Sequence, residues 1–339
     1  MEWEEFTLGE NDAGRRLDRV AKRLLQHRTQ GQAYSALRKG LVKLNGSKAR
    51  PEQITREGDV LSIAAFLLQG EQTTPSDAQE KREPSSQGAE LCAAERHAPC
   101  KIQVIFQNSH ILFVNKPKGI PVHGENSLAQ ILLAHPQYFN PTSTDCESQT
   151  PPTPHEKSIS FRPGPLHRLD KGTTGIIAFS KSLAGAKWFS EGIKAHAISK
   201  AYVGIAEGKI EREEEWLEEI GRKKARTKVV PLAYGKIFGA ESTLARYEIS
   251  TGRKHQIRIH SEAHGHPLAG DVAHGGKASA KKNTGKSREN FFLHAIEMAF
   301  PENTLGIPHR LRASLPEEFK AAIAEGFCTP DEIFNLENI

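Results

Sequence analysis

The sequence predicts an α+β protein, in which a mixed and mostly antiparallel central sheet with surrounding helices follows a small helical and hairpin module. Three observations support this fold class. Helical spacing and a tight-turn signal occur within the first 66 residues, a polar stretch comes next, and strand-like segments dominate after Lys101. The 339-residue chain is therefore divided into a module at 1–69, a flexible linker at 70–100 and a larger domain at 101–339.

The first module is predicted to contain two helices and a hairpin. QAYSALRKG predicts the second helix, with Gly40 as its C-cap. LVKLNGSKAR alternates apolar and polar residues around Asn45-Gly46, which is a strong hairpin signal, and REGDVLSI adds a turn and a strand. The first helix is predicted from five apolar residues at helical spacing: Leu17, Val20, Ala21, Leu24 and Leu25.

The positive charge of the chain is concentrated in this module. Between Arg15 and Phe66 there are twelve Lys and Arg against four Asp and Glu, a balance of +8. The whole chain carries +5, so the remaining residues sum to −3. A basic module beside a near-neutral body favours contact with a polyanion. A solvated basic surface gives the same count, so charge alone leaves both interpretations open.

Composition argues against several classes of protein. No apolar run is long enough to cross a bilayer, and the N-terminus MEWEEFTLGE lacks the basic start and apolar core of a signal peptide. A cytoplasmic location without membrane contact is therefore expected. The cysteines form no CxxC pair, which argues against a disulfide framework and a thiolate zinc site. They are Cys92, Cys100, Cys146 and Cys328.

The larger domain is predicted to be rich in strands. IQVIFQNSHILFVNKP predicts two strands with a turn at Asn108-Ser109, and further strands are expected in GIIAFS, AYVGIAEG, STLARYEIS and HQIRIH. A helix is expected around Ser182–Lys194. A linker rich in Pro, Ser and Glu runs from Gly70 to Cys100, and a polar insertion from about Tyr138 to Ser160. EREEEWLEEIGRKKARTK is expected to form a solvated hairpin or helix face.

The densest group of chemically active residues is HRLDKGTTG at 167–175, which runs directly into an apolar strand. Asp170 is flanked by Arg168 and Lys171, and nearby cations stabilise the ionised form of a carboxylate. A charged carboxylate in a loop beside a strand can act as a nucleophile or a general base. An Asp that caps a turn gives the same pattern, so the motif alone leaves its role open.

Two further patterns involve residues that can contact a nucleotide. TGRKHQIRIH predicts a strand that presents Arg258 and His260 on the face opposite its isoleucines, although a half-buried structural strand explains it equally well. ISKAY places Lys200 and Tyr202 on one strand face, where the Tyr ring stacks on a nucleobase or completes a core. NKPKG at 115–119 predicts a turn after a strand.

Taken together, these motifs resemble the RluA-type family of RNA pseudouridine synthases. HRLDKGTTG is similar to the family's catalytic signature, TGRKHQIRIHSEAHGHPLAGD to its TGR-x-HQ block, ISKAYVGIAEGKI to its K-x-Y segment, VNKPKGIPVH to its NKP-x-G block and LHAIEMAFP to its closing stretch. The matches keep the family's order between Ile102 and Pro301. Arg15 to Ile63 resembles the small alpha-L RNA-binding module of ribosomal-protein type that often precedes this domain.

The sequence departs from the family pattern at a few places. Gly172 stands where the family usually has Asp or Glu, and Thr174 where it usually has Ser. The polar insertion before His167 and the short stretch between Gly221 and Thr251 are also unusual. No motif residue is lost at these places.

The resemblance implies a pseudouridine synthase fold and the isomerisation of specific uridines in RNA, with large-subunit ribosomal RNA as the expected substrate. It implies that Asp170 is the catalytic carboxylate, that Arg168 helps to hold the flipped nucleotide, that Tyr202 stacks on the uracil and that Arg258 pairs with Asp170. No cofactor and no metal are expected, because an isomerisation needs neither, and a monomer is expected. Six residues of the first module are expected to bind RNA: Arg15, Arg16, Arg38, Lys39, Lys43 and Lys48.

Two alternative functions are considered. The first is an RNA-binding protein that has lost its enzymatic activity. The four residues assigned to the site are all present, so the sequence shows no loss of a catalytic residue. A metal hydrolase would need His260 and His264 on one face of a helix, whereas HQIRIH alternates like a strand and contains no Glu. The histidines that suggest this second alternative are His255, His260, His264, His266 and His274.

Overall fold

The structure is a computed structural model that describes residues 2–68, 102–135, 138–139, 161–277 and 290–327. The described residues fall into two compact units, one built from residues 2–68 and the other chiefly from those between 102 and 327. The predicted linker, the four cysteines and most of the predicted insertion lie outside the described residues, so the domain boundaries stay predictions. Among the described helices, none has both the length and the apolar character needed to span a membrane.

The first unit is a four-stranded antiparallel sheet with two helices. Its elements are β1 (Trp3–Thr7), α1 (Leu17–Leu24), α2 (Gln30–Arg38), β2 (Val42–Leu44), β3 (Ser47–Lys48) and β4 (Val60–Ala64). The strands lie in the order β1–β4–β2–β3. Both predicted helices, the hairpin and the following strand are confirmed.

Local sequence explains where these elements begin and end. The Thr29 hydroxyl accepts the Gln32 backbone N–H at 3.3 Å, and the Gln32 side chain accepts the Thr29 N–H at 2.7 Å, so a capping box starts α2. The helix ends before Gly40, whose φ of 71° suits a residue without a Cβ. Asn45 and Gly46, with φ of 49° and 74°, form the two-residue turn that the Asn-Gly pair predicts.

The core of this unit consists of its own residues. Val42 pairs with Ile63 and Leu44 with Leu61, and these four side chains are at most 4 % exposed. The apolar faces of the two helices pack against them. Full burial of one such side chain stabilises a fold by roughly 1.5–3 kcal/mol. The first unit therefore has a hydrophobic core that does not draw on the rest of the chain.

The second unit is built around a mixed ten-stranded sheet. Its strands are β5 (Gln103–Gln107), β6 (Ile111–Lys116), β7 (Gly164–Pro165), β8 (Thr174–Ser180), β9 (Ser199–Glu207), β10 (Glu214–Trp216), β11 (Thr227–Ile237), β12 (Ala240–Ile249), β13 (Leu293–Ala299) and β14 (Arg310–Arg312). The main path runs β10–β11–β12–β9–β13–β8–β6–β5, while β14 pairs with β13 and β7 with β8. Among the described strands only β8 and β13 pair in parallel, which confirms the predicted mixed, mostly antiparallel sheet.

Helices cover both faces of this sheet. The described helices are α3 (Leu128–Leu133), α4 (Leu183–Lys194), α5 (Gln256–Ala263) and α6 (Glu317–Gly326). α3 and α5 pack into the largest core cluster on one face, whereas Phe189 of α4 and Phe319 of α6 pack into smaller clusters on the other. The predicted helix at 182–194 is confirmed, and the acidic-to-basic segment forms the β10–β11 hairpin.

The sequence expectation for HQIRIH is wrong, because residues 256–263 form α5 and not a strand. Residues 258 and 260 are therefore about 200° apart around a helix instead of sharing one face. Buried residues occur on several sides of α5: Gln256, Ile257, Arg258, His260 and Ser261. Gln256, Arg258 and His260 each contact residues far away in the sequence, which a six-residue alternation cannot reveal.

Candidate active site

Asp170 lies in the loop between β7 and β8, on the α5 side of the sheet. The preceding Leu169 is buried in the main core, and the Asp170 side chain is 15 % exposed. The Thr173 N–H donates to the Asp170 carbonyl oxygen at 3.1 Å and closes a turn. A short turn with an apolar anchor thus presents the carboxylate at the edge of the core.

The NKPKG turn fixes the same loop from the other side. The buried Lys116 ammonium donates to the carbonyl oxygens of Pro117, at 2.9 Å, and Lys171, at 3.0 Å. The Gly119 N–H donates to the same Lys171 carbonyl at 2.9 Å. Hydrogen bonds from an ionised donor are stronger than neutral ones. The residue that follows Asp170 is therefore clamped by an earlier motif.

Behind the loop, a buried contact joins β8 to β13. Thr174 Oγ1 and His294 Nδ1 are 2.7 Å apart, and both side chains are buried. Burial lowers the pKa of His294 to about 4, so its ring is neutral at pH 7. Thr174 is one of the positions that depart from the family pattern, and its hydroxyl has a defined partner here.

Arg258 lies between two carboxylates. Its Nε and Nη2 donate to Asp271 at 2.6 and 2.7 Å, and its Nη1 lies 3.5 Å from Asp170 Oδ2. Burial alone would lower the pKa of Arg258, but the hydrogen bonds and charge of Asp271, followed by the charge of Asp170, raise it above its ordinary value. The guanidinium is held by Asp271 and directs one N–H group toward Asp170.

The other oxygen of Asp170 faces a histidine. Asp170 Oδ1 is 3.6 Å from His255 Nε2, and His255 Nδ1 is 3.1 Å from His274 Nε2. His274 Nδ1 is in turn 3.0 Å from Glu262 Oε2. His255 precedes α5 with a φ of 56°, in the left-handed region that side chains rarely adopt. Its ring is thereby brought between α5 and the Asp170 loop.

Asp170, Arg258 and His255 line a cavity of about 400 Å³ together with Tyr202 and Lys200 of β9. Burial, followed by the charge of Asp170, raises the pKa of Tyr202, so its phenol stays protonated at neutral pH. Burial lowers the pKa of Lys200. Among the described lining residues, six are cationic and one is a carboxylate: Arg168, Lys194, Lys200, Arg253, Lys254, Arg258 and Asp170. Size and charge both suit a nucleotide.

The structure brings the four site residues predicted from the sequence to one cavity. Asp170, Arg258, Tyr202 and Arg168 all line it. Arg168 is exposed, and none of the ion pairs recorded among the described residues involves it. Tyr202 is 7 % exposed, with its ring in the main core cluster.

Sequence reasoning missed three residues that support the site: Asp271, His255 and Lys116. Each lies inside a motif that the sequence displays, so the signal was present. The sequence does not show which residues they contact. Asp271 is 13 residues from its partner Arg258, and Lys116 is 55 residues from its partner Lys171. A motif gives residue types, whereas the pairing appears only in the fold.

The histidines of the larger domain do not assemble into a metal site. Within the described ranges, no group of three or more His, Cys, Asp and Glu side chains could hold a metal ion. His260 and His264 do lie one turn apart on α5, contrary to the strand expectation. Their Nε2 atoms instead contact the Glu218 carbonyl oxygen at 3.1 Å and the Glu218 carboxylate at 2.8 Å. Glu218 therefore engages the Nε2 atoms of both histidines.

Four of the six basic residues predicted to bind RNA form one surface of the first unit. Lys43 and Lys48 are cross-strand partners in the β2–β3 hairpin. The Lys48 side chain lies beside Gly40, which follows the exposed Arg38 and Lys39. A basic hairpin next to a basic helix end is a suitable contact for phosphates.

The two remaining basic residues have contacts within the unit. Arg16 donates to Asp18 at 2.8 Å, and Tyr34 donates to the same carboxylate at 2.5 Å. Burial lowers the pKa of Arg15, although the charge of Asp12 opposes the shift. These contacts tie the start of α1 to its surroundings.

Two segments of the chain match known family models. Residues 110–263 match the model described as RNA pseudouridylate synthase, and residues 15–61 match the S4 domain. The first match contains Asp170, Tyr202 and Arg258. The second contains all six basic residues.

Proteins similar to this chain along most of its length occur in several bacteria. It is 25% identical over 337 residues to ribosomal large subunit pseudouridine synthase C of Haemophilus influenzae, covering 94% of this chain and 93% of that protein. For the Escherichia coli protein of the same name the identity is 24% over 328 residues, with 92% and 93% covered. The structure of Human RNA Pseudouridylate Synthase Domain Containing 1 gives a TM-score of 0.49 at 19% identity, covering 69% of this chain and 93% of that one.

Proposed function

Since the chain belongs to the RNA pseudouridylate synthase family and carries an S4 domain ahead of the matching segment, we propose that it converts specific uridines of large-subunit ribosomal RNA to pseudouridine, with Asp170 as the catalytic carboxylate. The reaction detaches uracil N1 from the ribose C1′ and reattaches the ring through C5. Substrate and product are isomers, so nothing is oxidised and no second molecule donates a group.

The observation that carries this proposal is the setting of Asp170. Its carboxylate faces a cavity rich in cations, and Arg258 Nη1 lies 3.5 Å from one of its oxygens. Asp271 holds Arg258 from behind, so the guanidinium does not need to reorganise during the reaction. An oriented, charge-paired carboxylate is suited to nucleophilic or electrostatic catalysis at the glycosidic bond.

The remaining cavity residues fit an extruded nucleotide. A paired uridine must leave its stack before a loop carboxylate can reach it, at a cost of a few kcal/mol. Tyr202 offers a ring face on which the uracil stacks, and the exposed Arg168 helps to hold the nucleotide outside the helix. The excess of cations over carboxylates in the cavity also favours the negatively charged phosphate of the nucleotide.

Large-subunit ribosomal RNA is proposed as the substrate because the bacterial relatives carry that substrate in their names. The basic surface of Arg38, Lys39, Lys43 and Lys48 supports contact with a large RNA. We also propose that the enzyme acts in the cytoplasm and as a monomer.

The test is an Asp170→Asn variant. Asparagine keeps the shape of the side chain but loses the nucleophilic charge, so we expect no detectable isomerisation, while RNA affinity stays within a few-fold because phosphate contacts dominate it. Pseudouridine should be mapped in total RNA from cells that lack the gene and carry either the wild type or the variant. Purified protein on a transcribed RNA gives the turnover directly.

Glu191→Gln is the matched control, because Glu191 is an exposed carboxylate on α4. It should leave turnover unchanged. Normal turnover by Asp170→Asn would remove Asp170 from its role. Activity of the wild type on another RNA, with no site lost from large-subunit RNA, would overturn the substrate but leave the chemistry in place.

A further inference from the structure

We propose that Glu262, His274 and His255 form a proton relay that ends at Asp170, with His255 as the general base for the C5 proton of the uracil. The proposal rests on the proposed function and adds a catalytic residue to it. Three contacts carry it. They are Glu262 Oε2 to His274 Nδ1 at 3.0 Å, His274 Nε2 to His255 Nδ1 at 3.1 Å and His255 Nε2 to Asp170 Oδ1 at 3.6 Å.

With both rings neutral, the chain of contacts determines their tautomers. A carboxylate only accepts hydrogen bonds, so His274 donates from Nδ1 to Glu262. A neutral His274 then has a bare Nε2, which accepts the Nδ1–H of His255. A neutral His255 consequently presents an unprotonated Nε2 beside Asp170. This nitrogen is the atom that can take up a proton, and the imidazolium that results faces a carboxylate.

The relay runs from the surface to the cavity. The Glu262 side chain is 49% exposed, His274 is 16% exposed and Asp170 is 15% exposed. When His255 Nε2 takes up a proton, its Nδ1 proton can pass to His274 Nε2, and the His274 cation then lies against Glu262. The proton gained in the cavity is thus delivered toward solvent by two short transfers.

The chemistry needs such a base. After C1′ is joined to C5, the C5–H bond must break and its electron pair forms the C5–C6 double bond. The π pair of the C6–N1 double bond then returns to N1, which takes a proton from solvent water. One proton leaves C5 and one is added to N1, so the reaction is balanced without a co-reactant. The carbon that loses the proton is bonded to the ribose carbon near Asp170, and His255 Nε2 lies 3.6 Å from that carboxylate. General bases act across distances of about 3 Å or through one water.

The surroundings of His255 favour the neutral ring. Four titratable or charged groups face it: Asp170, Arg258, His274 and Lys254. Burial is the largest influence and lowers the pKa of His255, Asp170 opposes it, and the other three groups lower it further. A neutral imidazole at neutral pH is ready to accept a proton.

The backbone of His255 makes a clean test possible. Its φ of 56° suits glycine, and His255→Gly also leaves space for free imidazole. We expect this variant to isomerise uridine at least about 100-fold more slowly in a single turnover. Added imidazole should restore part of the rate, and 5-deuterated uridine should now slow the reaction. Asn126→Gly is the matched control, because the exposed Asn126 also has a positive φ, of 51°, and is not among the residues that line the cavity.

The positioning role of His274 has its own test. His274→Gln keeps an oxygen that accepts the His255 Nδ1–H, whereas His274→Leu removes the acceptor. Only the Leu variant should lower the single-turnover rate by about tenfold or more, since the wrong tautomer disables a catalytic imidazole. Equal single-turnover rates of the two variants would contradict this positioning role. The proton transfer to His274 is tested by multiple turnover, which both variants should slow because neither side chain takes up a proton.

A measurement on the unaltered protein covers the case in which a variant does not fold. Nitrogen-15 spectra of the histidine side chains should give a proton on Nδ1 and none on Nε2 of His255 at neutral pH. An Nε2–H tautomer overturns the proposal. So does a folded, RNA-binding His255→Gly protein that keeps its rate or loses it without imidazole rescue. Failure of the proposed function is distinct, because the wild type itself would then form no pseudouridine.

Discussion

Single residues of the site act through partners that lie elsewhere in the chain. Asp170, Arg258 and Tyr202 could be assigned from their motifs, and they line one cavity. Asp271, which accepts two hydrogen bonds from Arg258, could not be assigned, because the sequence does not tell which carboxylate a buried arginine will meet. A buried guanidinium without a partner is costly, so the fold must provide one. The sequence therefore shows which residues can take part in the chemistry, but it does not show which residues hold them in place.

One buried residue gives the protein a defined sensitivity to acid. The pKa of His294 is about 4 in the folded protein and about 6.5 in an unfolded chain, because burial disfavours the cation. The unfolded state then binds the proton more readily, so stability is lost as the pH falls from about 6.5 to about 4. One such group contributes on the order of 3 kcal/mol over this window. We expect His294→Gln to show a shallower pH dependence of the free energy of unfolding in urea titrations.

His309→Gln is the control for that measurement, since His309 is exposed and close to β14 in the chain. Its pH dependence should follow the wild type. If the His294 variant keeps the full slope, other groups cause the acid sensitivity. His167 is the next candidate, because burial also lowers its pKa, to about 3.

At the scale of elements, strands with a clear turn signal were predictable and α5 was not. The Asn-Gly hairpin and the β5–β6 pair follow local rules that need no distant partner. α5 is buried on several sides, and its residues Gln256, Arg258 and His260 contact Thr227, Asp271 and Glu218. These contacts stabilise a helix whose six-residue apolar alternation matches a strand. For such a short segment, tertiary contacts and not local periodicity determine whether it folds as a helix or as a strand.

The parallel pairing of β8 with β13 depends on one glycine. Gly175 has a φ of 106°, and a Cβ at this position would lie 2.2 Å from the Ala295 carbonyl oxygen. Gly175→Ala must therefore separate the strands behind the Asp170 loop. The strain and overpacking together amount to about 2–5 kcal/mol. We expect a large fall in melting temperature and in turnover, measured by thermal unfolding and by pseudouridine formation.

Gly164→Ala provides the comparison within the same sheet. Gly164 lies on β7, and a Cβ there would have no atom within 4 Å. The melting temperature of this variant should stay close to that of the wild type. If both variants melt alike, the close approach of β8 and β13 does not limit stability.

At the scale of the whole molecule, the two compact units have separate hydrophobic cores. One cluster is made of residues of the first unit, and the other three are made of residues of the second. Composition predicted this division, because a basic helical module is followed by a long polar stretch. The Asp170 cavity is lined by residues of the second unit. The candidate active-site cavity and the basic surface thus belong to different parts of the chain.

A protein truncated to begin at Cys100 tests this separation. It should fold and retain activity on a minimal stem-loop, because the cavity and its supporting sheet are kept. On a large ribosomal RNA it should have a higher apparent KM and little change in kcat, since the module contributes binding and not chemistry. Loss of phosphate contacts should also make binding less dependent on salt, because fewer counterions are released. Single-turnover kinetics and salt titrations of both proteins measure these effects.

A full-length protein with reversed charge on the basic surface separates docking from folding. Changing Lys39, Lys43 and Lys48 to Glu leaves the core of the first unit intact, since Lys39 and Lys48 are exposed and Lys43 lies over the Trp3 ring at the surface of the sheet. We expect this variant to reproduce the higher KM and the shallower salt dependence of the truncated protein, with a melting temperature close to that of the wild type. If instead the truncated protein melts earlier and binds large RNA with the wild-type salt dependence, the module stabilises the enzyme and does not dock it.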